Sequence, residues 1–225
     1  MTYKDILRSL TLDTIVDIAP SKVESFVDIA AGLDERDYID LIKNDYSLQS
    51  WRIQFGNQIE IANNKVFSYL GINLIEDEVI VVGKYKKGPK KGQDKIKTVK
   101  KNKVKVGNEW RQVDHYIRIK RKDGVWLLYL ESKCNLQFDT EKKGESNDKV
   151  LSVMKALGAN EGVYFIPVLK TIPSELAAQY PDIKILGLQD VFDSIPNCPF
   201  TADMMFEIYK EAKDEWFAKL RAGEV

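Results

Sequence analysis

The sequence has little histidine and little cysteine, and it has no long apolar run. His115, Cys134 and Cys198 are the only imidazole and thiol groups among 225 residues. A zinc site usually takes three or four ligands from these residue types, and two cysteines form no disulfide framework. No apolar run approaches the roughly 20 residues of a membrane span, and the first residues contain no basic-then-apolar leader. We therefore expect a soluble, cytoplasmic protein with no membrane partner.

Several catalytic and nucleotide-binding motifs are also missing. No Gly-x-Ser-x-Gly elbow accompanies the single histidine, which argues against Ser-His-Asp and Cys-His catalysis. There is no Gly-x-x-x-x-Gly-Lys-Ser/Thr segment and no Gly-x-Gly-x-x-Gly segment, so no nucleotide cofactor is expected. If the protein is an enzyme, its chemistry depends on carboxylates, a lysine and a hard metal ion.

The charge is distributed unevenly, although the net charge is zero. Residues 84–105, the basic block, contain eleven lysines and one acid, Asp94, which gives a net charge of +10. Such a block is typical of a surface that binds a polyanion, most often nucleic acid, but a solvated lysine-rich loop has the same composition. Aromatic side chains do not alternate with these lysines, which favours contacts with phosphates over stacking on bases.

The pattern of apolar residues predicts a single α/β domain over residues 1–225, with a central mixed sheet flanked by helices. Residues 1–46 are predicted to be a helical N-terminal segment, residues 47–188 an αβββαβ core with the basic block inserted, and residues 189–225 a C-terminal helical segment. The main predicted helices are 47–70, 146–157 and 201–220, and the predicted strands are 79–83, 111–121, 125–135, 163–169 and 183–188.

Two of these strands are joined by Asp123-Gly124, a strong signal for a β-hairpin. If these two residues form the turn, Asp114 lies opposite Lys133, and Glu131 lies on the diagonal. Alternation along each strand then gives one apolar face and one polar face, and the three charged side chains share the polar face. Two carboxylates and an ammonium at one edge of a sheet can hold Mg²⁺ beside a phosphate. The alternative is a surface salt-bridge cluster of little energetic consequence.

The spacing acid-x-Lys is not specific by itself, because it occurs four times, starting at Glu131, Glu141, Asp182 and Glu211. Only Glu131 ends an apolar strand and has a second acid across a predicted hairpin. The context, rather than the tripeptide, therefore selects Glu131-Ser132-Lys133.

Asp114, followed by Glu131-Ser132-Lys133 at the end of an apolar strand, resembles the PD-(D/E)xK nuclease superfamily. Gly56-x-x-x-Glu60 on the preceding predicted helix is similar to the helix that often supplies an additional acid in that superfamily. Residues 134–142, before the next predicted helix, resemble type II restriction endonucleases. The resemblance covers residues 47–188.

The resemblance implies a restriction-endonuclease-like core and Mg²⁺-dependent hydrolysis of DNA phosphodiesters to 5′-phosphate and 3′-hydroxyl ends. Asp114, Glu131 and the backbone carbonyl of Ser132 would bind the metal, which Mn²⁺ can replace. Lys133 would serve the nucleophilic water, and Glu60 would act through an outer-shell water. The chain departs from the family in having a valine where the family has a proline before the first acid.

The leading interpretation is a sequence-specific type II restriction endonuclease that acts on double-stranded DNA. We expect a homodimer, because a chain with one active site must cut both strands of a two-fold symmetric DNA site. Polar side chains of the basic block, of the hairpin and of the segment after it are predicted to contact DNA. They are Lys84, Lys86, Lys87, Lys90, Lys91, Lys100, Lys101, Lys103, Arg118, Lys120, Asn135, Gln137, Thr140 and Lys142.

Two other interpretations fit the same residues. A structure-selective repair, recombination or phage nuclease would keep the nuclease core and act on a different DNA substrate. A non-catalytic nucleic-acid-binding protein would use the basic block and leave the carboxylates without a chemical role.

Overall fold

The computed structural model describes residues 1–16, 46–75, 77–84, 94–100, 102–133 and 143–222. Helices α1 (Tyr3–Val16) and α2 (Tyr46–Tyr69) precede the strands β1 (Asp77–Lys84), β2 (Asp94–Lys100), β3 (Lys103–Val106), β4 (Glu109–Gln112), β5 (His115–Arg121) and β6 (Gly124–Ser132). The order continues with α3 (Lys143–Leu157), β7 (Glu161–Ile166), α4 (Ser174–Ala178), β8 (Ile185–Gly187), α5 (Leu188–Ser194) and α6 (Ala202–Ala222). Within these residues, no helix is both long and apolar enough to cross a membrane.

The central sheet contains four strands in the order β5-β6-β7-β8. Strands β5 and β6 are antiparallel, whereas β6, β7 and β8 run parallel to one another. Parallel neighbours need a long crossover, and the connection that contains α3 supplies it between β6 and β7. The prediction of an α/β fold with a mixed sheet flanked by helices is confirmed.

Each face of this sheet is covered by helices. On one face, Leu128 and Phe165 belong to an apolar cluster with side chains of α1, α2 and α6. On the other face, Tyr129 and Tyr164 belong to a second cluster, which includes side chains of α3. Strands that are buried on both faces read as nearly continuous apolar runs, as β6 does. A charged side chain on β6, such as Glu131, is therefore buried.

The β5–β6 hairpin has a different register from the predicted one. Its two-residue turn is Lys122-Asp123, so Tyr116 lies opposite Tyr129 and not opposite Glu131. Gly124 has a φ of 139°, a conformation that L side chains rarely adopt, and it begins β6 after the turn. Because side chains alternate with a period of two, this shift of two residues in the pairing leaves every side chain on its predicted face.

The strand that we predict over residues 111–121 is in fact two strands. Strand β4 pairs with β3 in a separate two-stranded ribbon, and β5 begins the central sheet. Val113 is buried between them, and its N–H donates a 2.7 Å hydrogen bond to the carbonyl of Asn102. Asp114 therefore lies where the chain leaves the β3–β4 ribbon and enters the sheet.

Part of the basic block also forms strands. Strand β2 pairs with β1, and β3 belongs to the ribbon, so residues 94–100 and 103–106 have regular structure. Residues 17–45 of the predicted N-terminal helical segment and residues 85–93 of the basic block lie outside the described residues.

Helix α3 packs closely on β7 at Gly162. A Cβ atom on Gly162 would lie 3.0 Å from Met154 Cβ and 3.1 Å from Val150 Cγ1. The missing side chain lets the helix approach the strand. This approach sets the position of Lys149, which precedes Val150 on α3.

Candidate active site

Three of the predicted catalytic side chains meet at one end of the β5–β6 hairpin. Asp114 precedes β5, Glu131 is the next-to-last residue of β6, and Lys133 follows that strand. The last observed pair is His115 with Leu130, and one further step in the same register sets Asp114 opposite Glu131. The two carboxylates are therefore direct cross-strand neighbours rather than diagonal ones, as the predicted register had them.

Asp114 is buried, with 8% of its surface exposed. Its Oδ2 accepts a 2.9 Å hydrogen bond from the backbone N–H of Ser132, and its backbone carbonyl accepts one of 3.1 Å from Asn64 Nδ2. Burial, followed by repulsion from Glu131, raises the pKa of Asp114 to about 6, although Lys149 and the Ser132 N–H oppose the rise. A bound cation would favour the ionised form of this carboxyl group.

Glu131 is the most heavily bonded side chain of the cluster and is only 3% exposed. Its Oε1 accepts hydrogen bonds from Lys149 Nζ at 2.6 Å and from Lys133 Nζ at 3.0 Å. Its Oε2 accepts a 2.5 Å hydrogen bond from the Tyr129 hydroxyl. Burial alone would raise the pKa of Glu131, but the two lysines and these hydrogen bonds hold it below its usual value. Glu131 is therefore an ionised carboxylate inside the protein.

Lys149 is a member of the cluster that the sequence analysis missed. It lies on α3, 18 residues after Glu131, and reaches the carboxylate through the crossover that connects β6 to β7. The sequence contains a weak signal for Lys149. Val150 and Val153 form the buried face of α3. Lys149 directly precedes Val150 and lies one helical turn before Val153, so its side chain points toward the same sheet.

Glu60 lies on α2, close enough to Tyr129 for its charge to affect that hydroxyl. It is half-buried on α2 and precedes Asn64 by four residues, so the two side chains share one face of the helix. Asn64 in turn contacts the backbone of Asp114. Burial, the charge and hydrogen bond of Glu131, and the charge of Asp114 raise the pKa of the Tyr129 hydroxyl, and the charge of Glu60 makes a smaller contribution in the same direction. This position agrees with an outer-shell role for Glu60, which stays a prediction.

His115 lies on the opposite face of the sheet, as alternation along β5 requires. It is fully buried, and its ring packs edge-to-face against Phe67 and Phe165, with centroids 5.4 Å and 5.6 Å away. Its Nδ1 is 2.8 Å from Asn64 Oδ1, and since that oxygen only accepts, Nδ1 bears the proton. Burial lowers the pKa of His115 to about 3, so the ring is neutral. This histidine is a packing residue that steadies Asn64.

The predicted DNA contacts fall into two groups. Lys84, Lys103, Arg118 and Lys120 have exposed side chains, and Arg118 and Lys120 continue along β5 on the face that bears the cluster. Lys100 is the last residue of β2. The other predicted contacts lie outside the described residues: Lys86, Lys87, Lys90, Lys91, Lys101, Asn135, Gln137, Thr140 and Lys142.

The donor set of the cluster suits a hard metal ion with few protein ligands. Within the described part of the chain, no group of three or more His, Cys, Asp or Glu side chains is arranged to hold a metal. Mg²⁺, however, is usually bound by one or two carboxylates and several waters, and two adjacent carboxylates are what Asp114 and Glu131 provide. The repulsion that raises the pKa of Asp114 is the kind of strain that a cation relieves. A cation at Glu131 Oε1 would have to displace a lysine ammonium.

Neither a scan against protein-family models nor a search of curated proteins gives a significant match to this chain.

Proposed function

We propose that the protein is a metal-dependent endonuclease with a restriction-endonuclease-like core. The observation that supports this proposal is the burial of Asp114 and Glu131 side by side, with Lys133 and Lys149 bonded to one carboxylate oxygen. Burying charged groups costs several kcal/mol per ion, and the attraction between them often fails to offset that cost. A fold does not need such a cluster for stability, and perturbed acids of this kind concentrate at functional sites.

The proposed roles are those that the resemblance to the nuclease superfamily implies, and the contacts of Asp114, Glu131 and Lys133 are compatible with them. Asp114, Glu131 and the backbone carbonyl of Ser132 would hold Mg²⁺, or Mn²⁺ in its place. When bound, such an ion polarises a phosphoryl oxygen and lowers the pKa of a water molecule. Lys133, with 26% of its side chain exposed, is within reach of solvent and would orient the attacking water beside the phosphate. Hydrolysis would leave 5′-phosphate and 3′-hydroxyl ends.

The first candidate substrate is double-stranded DNA with a specific sequence, cut by a homodimer in the manner of a type II restriction endonuclease. The exposed cations Arg118 and Lys120 lie on the face that bears the cluster and would contact DNA phosphates. Two copies of the chain would be needed, because the described residues of each contain one such cluster and both strands of a symmetric site must be cut.

A structure-selective nuclease is the second candidate, and one observation favours it. Trp110 is 65% exposed on the β3–β4 ribbon, four residues before Asp114. An exposed indole beside an active site suits a substrate with an unpaired base, because stacking on a base does not depend on sequence.

Incubation with a plasmid of known sequence and Mg²⁺ tests the proposal. Discrete fragments would support the restriction enzyme, and cleavage of only branched or partly single-stranded DNA would support the second candidate. Lys133→Ala should abolish cleavage and leave DNA binding largely intact. Lys155→Ala, which removes an exposed lysine of α3, is the matched control and should cut like the wild type. A mobility shift with no cleavage in either Mg²⁺ or Mn²⁺ would contradict both candidates.

A further inference from the structure

The β3–β4 ribbon presents an aromatic side chain next to lysines. Strand pairing sets Lys103 opposite Gln112 and Lys105 opposite Trp110. Directly opposed residues lie on the same face of a ribbon, so these four side chains share one face, which we call the Trp110 face. All four are exposed.

The other face attaches the ribbon to the domain. Val104 and Val106 pack against the apolar cluster beneath α3. Glu109 is the only acid of the ribbon, and it pairs with Arg111 on this same face at 2.6 Å. The charged groups of the Trp110 face are therefore two ammoniums, and the ribbon is fixed with that face toward solvent.

An exposed aromatic ring beside ammonium groups is typical of surfaces that bind single-stranded nucleic acid. Exposed apolar side chains are common on protein surfaces and need no explanation when they occur alone. Trp110, however, has an ammonium directly across the ribbon and a second one on the same face. Aromatic rings on which bases stack, combined with cations that follow the phosphates, characterise proteins that bind unpaired strands. The sequence alone hides this pairing, because Lys105 and Trp110 are neighbours only across the ribbon.

We propose that Trp110 stacks on an unpaired base of a single-stranded DNA segment, while Lys103 and Lys105 contact the adjacent phosphates. The inference rests on the proposed function for the identity of the polymer. A strand rises about 3.3 Å per residue, so the four steps along the chain from Trp110 to Asp114 span at most about 13 Å. Nucleotides follow one another at about 3.4 Å along a duplex strand, so the stacked base would lie within about four nucleotides of the phosphate at the cluster.

The test measures binding without cleavage, by fluorescence anisotropy of a labelled single-stranded oligonucleotide and of its duplex in EDTA. Trp110→Ala should weaken binding to the single strand by about 5-fold to 150-fold, the usual effect of losing one stacked base, and change duplex binding by less than about twofold. Trp110→Phe keeps an aromatic ring and should retain most of the affinity. Tyr69→Ala removes an aromatic side chain that is 50% exposed on α2 and should have no effect.

Four results would overturn the inference. They are a wild type that does not bind the single strand, a Trp110→Ala variant with unchanged affinity, an equal loss of affinity for single strand and duplex, and a loss seen with single-stranded RNA but not with DNA. Plasmid cleavage in Mg²⁺ is measured in parallel to separate the two proposals. Single-strand binding that depends on Trp110, without any plasmid cleavage, would contradict the proposed nuclease activity and support this inference. Plasmid cleavage by a protein whose single-strand binding does not depend on Trp110 would support the nuclease activity and contradict this inference.

Discussion

Replacing Lys149 with methionine should tighten Mg²⁺ binding and destabilise the metal-free protein. Lys149 Nζ lies 2.6 Å from Glu131 Oε1, and Lys133 Nζ lies 3.0 Å from the same oxygen. A cation that binds this oxygen must displace an ammonium, and a hydrogen bond to a charged group contributes about 1.5–3 kcal/mol. Methionine fills similar space without a charge. Mg²⁺ affinity should therefore rise about 10-fold to 100-fold, since each 1.4 kcal/mol is about a factor of ten.

The same substitution leaves a buried carboxylate with one ammonium instead of two. Removing one partner of a fully buried ion pair costs about 3–5 kcal/mol. Here Lys133 and Tyr129 still donate to Glu131, and the side chain of Lys149 is 27% exposed, so part of its stabilisation is screened by solvent. We expect the free energy of unfolding to fall by about 1–2 kcal/mol.

Titration calorimetry with Mg²⁺ and urea unfolding in EDTA measure the two effects. Lys149→Arg keeps the charge and is the matched control, and it should bind Mg²⁺ like the wild type. In the Lys149→Met background, Glu131→Gln removes the buried charge and should recover most of the lost stability. Weaker Mg²⁺ binding by Lys149→Met would refute the reasoning, because Lys149 would then support the metal site instead of competing with it. Equal affinities in all variants would mean that the cation does not bind at Glu131.

Three further predictions concern protons and packing. Mg²⁺ affinity should fall about tenfold per pH unit below about 6, because a proton on Asp114 competes with the cation, and calorimetry across this range checks it. In EDTA, the free energy of unfolding should change little between about pH 4 and 6, because two opposite effects cancel. The raised pKa of Asp114 makes the free energy of unfolding fall as the pH rises, whereas the lowered pKa of His115 makes it increase. Urea unfolding of Asp114→Asn should then show a rise of up to about 1.4 kcal/mol per pH unit, and a flat profile would contradict the assignment. Gly162→Ala should cost about 1–3 kcal/mol in the same assay, because its Cβ would lie 3.0 Å from Met154 Cβ, whereas Leu151→Ala on the exposed side of α3 should cost far less.

The faces of the hairpin could be predicted from the sequence, but its register could not. Alternation fixes which side chains share a face, and Asp114, Glu131 and Lys133 accordingly meet. The register depends on which two residues form the turn. Asp-Gly is the usual turn pair, but Gly124 takes its positive φ just after the turn, which moves the pairing by two residues. The alternation pattern predicts correctly which side chains share a face, whereas the Asp-Gly turn signal predicts the wrong register.

The strand break before Asp114 and the role of Lys149 depend on contacts that are distant in sequence. Residues 111–121 all suit a strand, and the division into β4 and β5 arises because β4 pairs with β3 rather than with β6. Lys149 reaches Glu131 from α3, a helix that packs closely on β7 at Gly162. No pattern within a short window of sequence contains either fact.

If the protein binds Mg²⁺ and DNA as proposed, the charge balance of the cluster links the two binding events. In the metal-free protein the ammoniums of Lys133 and Lys149 both bond to Glu131, and the high pKa of Asp114 lets it hold a proton near pH 6. A divalent cation held by the carboxylates would favour the loss of that proton and would free at least one ammonium. A freed ammonium beside the site would be a partner for a phosphate, so DNA would gain a contact that exists only once the cation is bound. By reciprocity, DNA would then raise the affinity for the cation by the same factor by which the cation raises the affinity for DNA.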